Sequence, residues 1–378
     1  MGGTILITGG AGFIGSRLAL RLIADGYRVR VLDSLAPQIH GADPTLSPLF
    51  RAIEGKVEFL QGSVTCKEDL LGVLPGVDTV VHLAAETGTG QSMYAIRHYA
   101  EVNMGGTALL LDLIANESFP VRKLVVASSR AVYGEGKYRC ADHGNVFPGS
   151  RRAEDMVAGD FSPHCPVCDK AVDAVATDEE APTRPGSIYG ITKLNQEQMV
   201  LMVARSLGIS GLAFRYQNVY GPGQSLSNPY TGILSIFSTR IRNGKDINIF
   251  EDGRESRDFV YIDDVVEVTA RGIEYDNLIV DTFNVGSGQP TDVLTIADSL
   301  QRLLGNSVPV KVSGQFRVGD IRHNFADLSK VRQLLGFQPS VAIQEGLGRF
   351  TDWVTSERIN QDRYEESLQE MAAKGLFK

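Results

Sequence analysis

Thr8-Gly9-Gly10-Ala11-Gly12-Phe13-Ile14-Gly15 is the stretch on which the fold turns. Ahead of it, residues 4–8 form a continuous apolar run that reads as a buried strand. Behind it, residues 12–25 read as a helix, with Gly26 as its C-terminal stop. In such a connection the first glycine permits a tight turn, the second lets the backbone approach a pyrophosphate, and the third packs the helix closely on the strand; Gly9, Gly12 and Gly15 have that spacing. The helix start adds free N–H groups and a partial positive charge. A glycine pattern alone is weak, since a flexible turn shows the same residues. The context sharpens it: a strand before, a helix after, and Asp33 at the end of the next apolar run, 29–33. A carboxylate there accepts from both ribose hydroxyls and repels a 2′-phosphate, and no arginine follows in Ser34-Leu35-Ala36. The stretch points to NAD rather than NADP.

Further apolar runs lie at 57–61, 79–84, 124–128 and 212–216. They are continuous rather than alternating, as expected of strands covered on both faces of a parallel sheet. Helical stretches at 92–115 and 188–206 separate them. This alternation predicts an α/β fold, a doubly wound parallel (Rossmann) sheet with right-handed crossovers. Past residue 216 the pattern loosens into loops, with helices at 233–242 and 263–274, a short strand at 247–250, and a further strand of the main sheet near 282–286. We expect a dinucleotide-binding domain from 1–215 plus about 259–286, carrying an insertion at about 135–180. A smaller, partly interleaved C-terminal substrate domain takes 216–258 plus 287–378.

The 378 residues carry a net charge of −8, which argues against nucleic-acid or anionic-membrane partners. No apolar run reaches the roughly 18 residues of a membrane span. The N-terminal residues lack the basic start of a signal peptide, and a cytoplasmic protein is expected. Forty glycines exceed the usual share of roughly 7% without any three-residue period, so the excess needs local explanations.

Tyr189-Gly190-Ile191-Thr192-Lys193 sets a phenol and an amine four apart on one helix face. An ammonium beside a phenol favours the phenolate and makes it a usable base near neutral pH. With the glycine loop upstream, the sequence resembles an extended short-chain dehydrogenase/reductase of the nucleotide-sugar epimerase/dehydratase group. The resemblance covers nearly the whole chain. It runs through His82-Leu83-Ala84-Ala85, Asn103, Ser128-Ser129-Arg130-Ala131-Val132-Tyr133-Gly134, the Tyr189/Lys193 pair, Arg215 to Pro222, Ser256-Arg257-Asp258-Phe259 and Arg317-Val318-Gly319-Asp320. It implies that Ser129 bonds the reacting sugar oxygen, that Tyr189 is the base, and that Lys193 also holds the nicotinamide ribose. It implies cofactor contacts from Gly9, Gly12, Phe13, Ile14, Gly15, Asp33, Ser63, Val64, Leu83, Ala84, Ala85, Asn103 and Tyr216. Asn218, Arg257 and Arg317 would grip the substrate's diphosphate, where guanidinium forks suit phosphate oxygens. Thr87, Gly88 and Arg130 would face the sugar. The one departure is at Ser63, near which the family usually has an adenine-contacting aspartate. The family also implies a homodimer, with helices 92–115 and 188–206 as candidates for its interface.

Dehydratases of the group usually carry Asp-Glu after the serine or threonine. Here Arg130 and Ala131 follow Ser129, and neither performs that acid–base work. Epimerisation needs only Tyr189 and tightly held, recycled NAD: the C4 hydroxyl is oxidised to a 4-keto sugar, which turns and is reduced on its other face. Within the group the loop 88–94, the stretch 216–232 and Arg317 to His323 look closest to dTDP-L-rhamnose 4-epimerase-like proteins. A UDP-sugar 4-epimerase is the near alternative, and a dehydratase or decarboxylase a further one. A non-catalytic NAD sensor is least favoured, since it needs no proton-transfer set.

Tyr133 and Tyr189 are separated by more residues than in family members of ordinary length. The extra segment holds Cys140-Ala141-Asp142-His143 and Cys165-Pro166-Val167-Cys168. Cys-x-x-His with Cys-x-x-Cys has zinc-ligand spacing, and a small insertion with little core could use such a staple. A disulfide or redox pair, or thiols with no special role, fit the same spacing.

Overall fold

The computed structural model describes residues 2–230, 232–317, 319–358 and 362–377. Thr231 and Val318, which fall in stretches that carry the family resemblance, lie outside the described residues. Seven parallel strands make the central sheet: β1 (Thr4–Thr8), β2 (Arg28–Asp33), β3 (Glu58–Gln61), β4 (Thr79–His82), β5 (Lys123–Ser129), β6 (Ser210–Tyr216) and β7 (Val280–Val285). Their spatial order is β7-β6-β5-β4-β1-β2-β3. The chain winds outward from β1 to β3, returns to the other side of β1 as β4, and winds outward again. The reversal between β1 and β4 is the topological switch point, where open α/β sheets bind ligands at the carboxyl ends of their strands.

The continuous apolar runs are explained by burial on both faces. Ile5, Ile7, Val81 and Val125 point into one core, and Leu6, Val80, Leu124 and Val126 into the other. Helices α1 (Phe13–Ala24) and α4 (Ile262–Glu274) cover the first face. Helices α2 (Gly106–Asn116) and α3 (Ile188–Leu207) cover the second.

The stretch 92–115 is not the single long helix that the sequence suggests. It breaks into Thr89–Ser92, Ile96–Tyr99, a π-helical turn over Ala100–Gly105, and α2. A tertiary demand wins over local propensity. Asn103, fully buried in the wide turn, accepts from the Glu86 N–H at 2.7 Å and donates to the Glu86 carbonyl and Thr192 Oγ1. Such π-bulges recur where a helix must aim one side chain.

Beyond β6 the chain builds a second, smaller set of strands. Asn218–Tyr220 pairs with Ser256–Tyr261, which in turn pairs with Pro290–Asp292 and His323–Asn324, while Ile247–Ile249 pairs with Val310–Val312. Helices Ile233–Arg242, Val293–Leu304 and Ile343–Ser356 pack around them. The insertion folds as a three-stranded antiparallel sheet of Tyr138–Cys140, Gly144–Val146 and Asp173–Ala174.

Candidate active site

A cleft of about 1560 Å³ opens along the carboxyl ends of β1, β2, β4, β5 and β6. Single-ligand pockets occupy roughly 300–1,000 Å³, so this one has room for two extended ligands.

At one end lies the glycine loop. Gly9 has φ +71°, and a Cβ there would stand 2.7 Å from the Ala84 nitrogen; a Cβ on Gly15 would stand 2.4 Å from the Gly9 carbonyl oxygen. Any side chain would push β1, the loop and the helix apart. Gly12 differs: its nearest neighbour is the Gly9 oxygen at 3.2 Å, and its other side faces the cleft. Gly12 also caps α1 without any side-chain hydrogen bond to the first turn. The result is a cradle bare of side chains at the positive end of a helix, which fits a dinucleotide pyrophosphate. Asp33 lies beside it, held by the N–H groups of Ala11 and Leu35, each at 2.9 Å. Ser63, Val64, Leu83, Ala84, Ala85 and Tyr216 also line this cleft. Near Ser63, the Asp69 carboxylate accepts the Ser63 N–H at 2.8 Å and is not on the cleft wall.

Ser129 ends β5, and Tyr189 stands in the first turn of α3, capped by Ser187, whose Oγ accepts the Gly190 N–H at 3.1 Å. Gly190 is what lets them meet. A Cβ there would fall 2.7 Å from the Ala131 carbonyl oxygen, so its absence allows α3 to lie against the turn after Ser129. Burial pushes the Tyr189 pKa up, while the neighbouring Ser129 hydroxyl and the Arg130 cation pull it down. The spacing argument expected Lys193 to be the acting cation. In the structure the Lys193 ammonium donates instead to Gln196 Oε1 at 2.8 Å, and burial drops its pKa to about 7. Gln196 is held in turn by Thr107, and His82 bridges Thr8 and Thr107. Burial lowers the His82 pKa to about 3, so this histidine is a neutral strut.

Arg130 follows Ser129 directly and donates to Asn218 Oδ1 at 3.0 Å; burial and the nearby Arg257 lower its pKa to about 9. Thr87, Gly88, Arg130 and Asn218 all line the cleft. Three residues singled out in the sequence do not. Asn103 is buried behind the wall, holding the main chain at Glu86. Arg257 donates to the carbonyls of Ser256, Ile321 and Arg322. Arg317 pairs with Asp320 at 2.7 Å and borders a small adjoining hollow with Thr89, Gly90 and Met371.

Sequence reasoning missed two parts of the wall. The segment from Pro37 to Leu49 closes the end near Asp33, with His40 bonded to Ser47 at 2.9 Å and 3.9 Å from Asp33. Its signal is faint: Ala36-Pro37 and Ser47-Pro48 each open a very short helix. Gln224, Asn228, Tyr230 and Trp353, the one tryptophan of the chain, close other parts of the wall.

Comparisons with known proteins agree with this layout. The model of the NAD dependent epimerase/dehydratase family matches residues 5–153 and 159–286. A dTDP-L-rhamnose 4-epimerase of Burkholderia thailandensis is 39% identical over 360 residues, covering 94% of this chain and 96% of that protein. A UDP-glucose 4-epimerase of Thermotoga maritima, solved with UDP-glucose, superposes with a TM-score of 0.74 at 28% identity, over 93% of this chain and 99% of its own. A UDP-glucuronic acid 4-epimerase of Bacillus cereus, solved with a fluorinated UDP-sugar and NAD, gives 0.76 at 26% identity with the same coverage.

Proposed function

The chain belongs to the NAD dependent epimerase/dehydratase family, and we propose that it inverts C4 of a nucleoside-diphosphate sugar of the dTDP-L-rhamnose type. It is an NAD-dependent nucleotide-sugar epimerase. The observation that carries the C4 reading is that Ser129 and Tyr189 line one cleft with the side-chain-free glycine cradle, with Arg130 and Ala131 where a dehydratase has its acids. Gly9, Gly12, Gly15 and Asp33 would hold NAD, which when bound would supply a reversible hydride acceptor. Tyr189 takes the proton of the C4 hydroxyl and gives it back after the keto sugar has turned. Ser129 holds that oxygen in line, Arg130 keeps positive charge near the phenol, and Lys193, on the cleft wall, would hold the nicotinamide ribose. Gly88 leaves room for the pyranose to rotate. Arg130 and Asn218 would contact the sugar or its diphosphate, with Arg257 and Arg317 adding positive field from behind.

The division of labour follows the chain. We read 1–215 plus about 259–286 as the cofactor-binding part, and 216–258 plus 287–378 as the part that holds the sugar nucleotide. A homodimer is proposed, supported by the exposed Ile191 and Met202 on α3; light scattering at micromolar protein tests it, and a monomer would count against it. Among the described residues no helix is long and apolar enough to cross a membrane. Four free cysteines fit a reducing compartment, and we propose the cytoplasm. Zinc has no step in this reaction: Cys140, His143, Cys165 and Cys168 all lie off the cleft wall.

The test is turnover of dTDP-L-rhamnose and a panel of UDP- and GDP-sugars by purified protein without added NAD, followed by NMR. The expected product is a C4 epimer of unchanged mass. Loss of water would establish dehydration, loss of carbon dioxide decarboxylation, and bound NAD with no turnover of any sugar a sensor.

A further inference from the structure

We propose that the insertion is a zinc-stapled module, with Cys140, His143, Cys165 and Cys168 as the four ligands of one structural zinc ion. The ligand atoms all lie within 4.8 Å of one another. Cys140 Sγ is 3.5 Å from His143 Nδ1 and 3.7 Å from Cys168 Sγ, and Cys165 Sγ is 3.6 Å from His143 Nδ1. These three distances match edges of a zinc tetrahedron. Zn–S bonds of about 2.3 Å and Zn–N bonds of about 2.05 Å at tetrahedral angles place sulfurs about 3.8 Å apart, and sulfur about 3.6 Å from nitrogen. A disulfide would need about 2.05 Å between sulfurs, and all four cysteines of the chain are free thiols.

The backbone is built for the same end. Cys140 ends one strand of the small sheet, His143 precedes Gly144 at φ +66° where the next strand begins, and the two form one turn of ligands. Cys165 and Cys168 form the second turn, closed by the Asp169 N–H on the Cys165 carbonyl and the Cys165 N–H on the Lys170 carbonyl. Lys170 reaches across to Asp142 at 2.7 Å and ties the two turns together. The sheet has almost no core otherwise: its buried apolar cluster is Tyr138, Cys140, Val146 and Cys165, so two of its four members are themselves ligands. An element this small needs a metal or a covalent staple to hold one structure.

The module holds something that matters to the site. Tyr138 donates to Glu135, Glu135 pairs with Arg151 at 2.9 Å, and Arg151 forks onto Glu251 and donates to the Asp320 carbonyl. Asp320 is the partner of Arg317. The small sheet is thereby linked through buried charges to the turn that carries Arg317.

Full-length protein purified without chelator should contain one zinc per chain by mass spectrometry. Native protein should show one readily reactive thiol, Cys66, and four once the metal is chelated. Cobalt-exchanged protein should show thiolate charge-transfer absorption and the visible bands of a tetrahedral site. A Cys165→Ser/Cys168→Ser double variant should lose the zinc while keeping its bound dinucleotide. Less than about a tenth of a zinc per chain from zinc-supplemented cells, with all four thiols reacting at once in native protein, would overturn the proposal; so would zinc retained by the double variant.

Discussion

Replacing Lys193 with methionine should make the protein more stable in acid while destroying its activity. The ammonium is buried, and burial drops its pKa from 10.5 to about 7. A group that binds protons less readily when folded than when unfolded makes stability rise with pH across the interval between the two values. Below about pH 6 both states carry the charge, and the folded state bears the whole penalty, about 5 kcal/mol at about 1.4 kcal/mol per tenfold. At pH 9 only the unfolded state is still mostly charged, and about 2 kcal/mol remains. Against this, methionine leaves Gln196 Oε1 without its donor inside the wall, which costs about 1–3 kcal/mol. The net is a gain of a few kcal/mol at pH 6 and about zero at pH 9. The assay is thermal melting of wild type and Lys193→Met, both stripped of dinucleotide, at pH 6 and pH 9. The variant should melt several degrees higher at pH 6, at roughly 2 °C per kcal/mol for a chain of this size, and the offset should shrink toward zero at pH 9. Epimerase turnover should fall at least about 100-fold. A variant that melts below wild type at pH 6, or an offset that is the same at both pH values, would refute the reasoning.

Tyr189→Phe should cut turnover by about 10²–10⁴ while Trp353 fluorescence still reports sugar-nucleotide binding; turnover within tenfold of wild type would remove Tyr189 as the base. Gly15→Ala and Gly12→Ala should separate two roles: the first lowers the melting temperature because its Cβ meets the Gly9 carbonyl at 2.4 Å, whereas the second leaves melting of the stripped protein within a few degrees and weakens NAD binding at least tenfold. Equal melting of the two would contradict the assignment. Glu197→Ala strands the buried Arg215, which forks onto Glu197 at 2.6 and 3.0 Å, and should cost about 3–5 kcal/mol in urea unfolding; a loss under about 1 kcal/mol would mean the pair is not structural. Arg130→Gln should raise KM for the sugar nucleotide at least tenfold with NAD affinity unchanged, and an unaltered KM would place the anion elsewhere.

What the sequence made legible was local. The glycine loop, Asp33 and the continuous strands each declare themselves within a few residues, because turn sterics and two-faced burial act on neighbours in the chain. The stretch 92–115 was misleading for the opposite reason: its residues favour helix, and only the reach of Asn103 to Glu86 and Thr192 requires the π-turn. The Tyr189/Lys193 spacing correctly put both on the cleft wall. It could not show that Lys193 turns toward Gln196, or that Arg130, distant in sequence, is the cation acting on the phenol. Gly190 carried a readable signal, since a glycine inside a helix start invites the question of what approaches it. The segment from Pro37 to Leu49 carried only the faint signal of its two prolines, because its place on the wall depends on the whole sheet.

The charge beside Ser129, rather than the cleft as a whole, is what fits an anionic substrate. The chain is acidic overall, yet burial and the nearby Arg257 both disfavour the charge of Arg130. Asp320 and Glu135 oppose this, but each is already committed, Asp320 to Arg317 and Glu135 to Arg151. Burial and Arg257 together pull the Arg130 guanidinium down to about 9. Under the proposed function, a diphosphate bound beside Arg130 and Asn218 would set negative charge against the Arg130 guanidinium. The same cation lowers the phenol of Tyr189, and substrate that draws on its field also sets the proton affinity of the base. Under the proposed function, substrate recognition and base strength would be coupled through one side chain, Arg130.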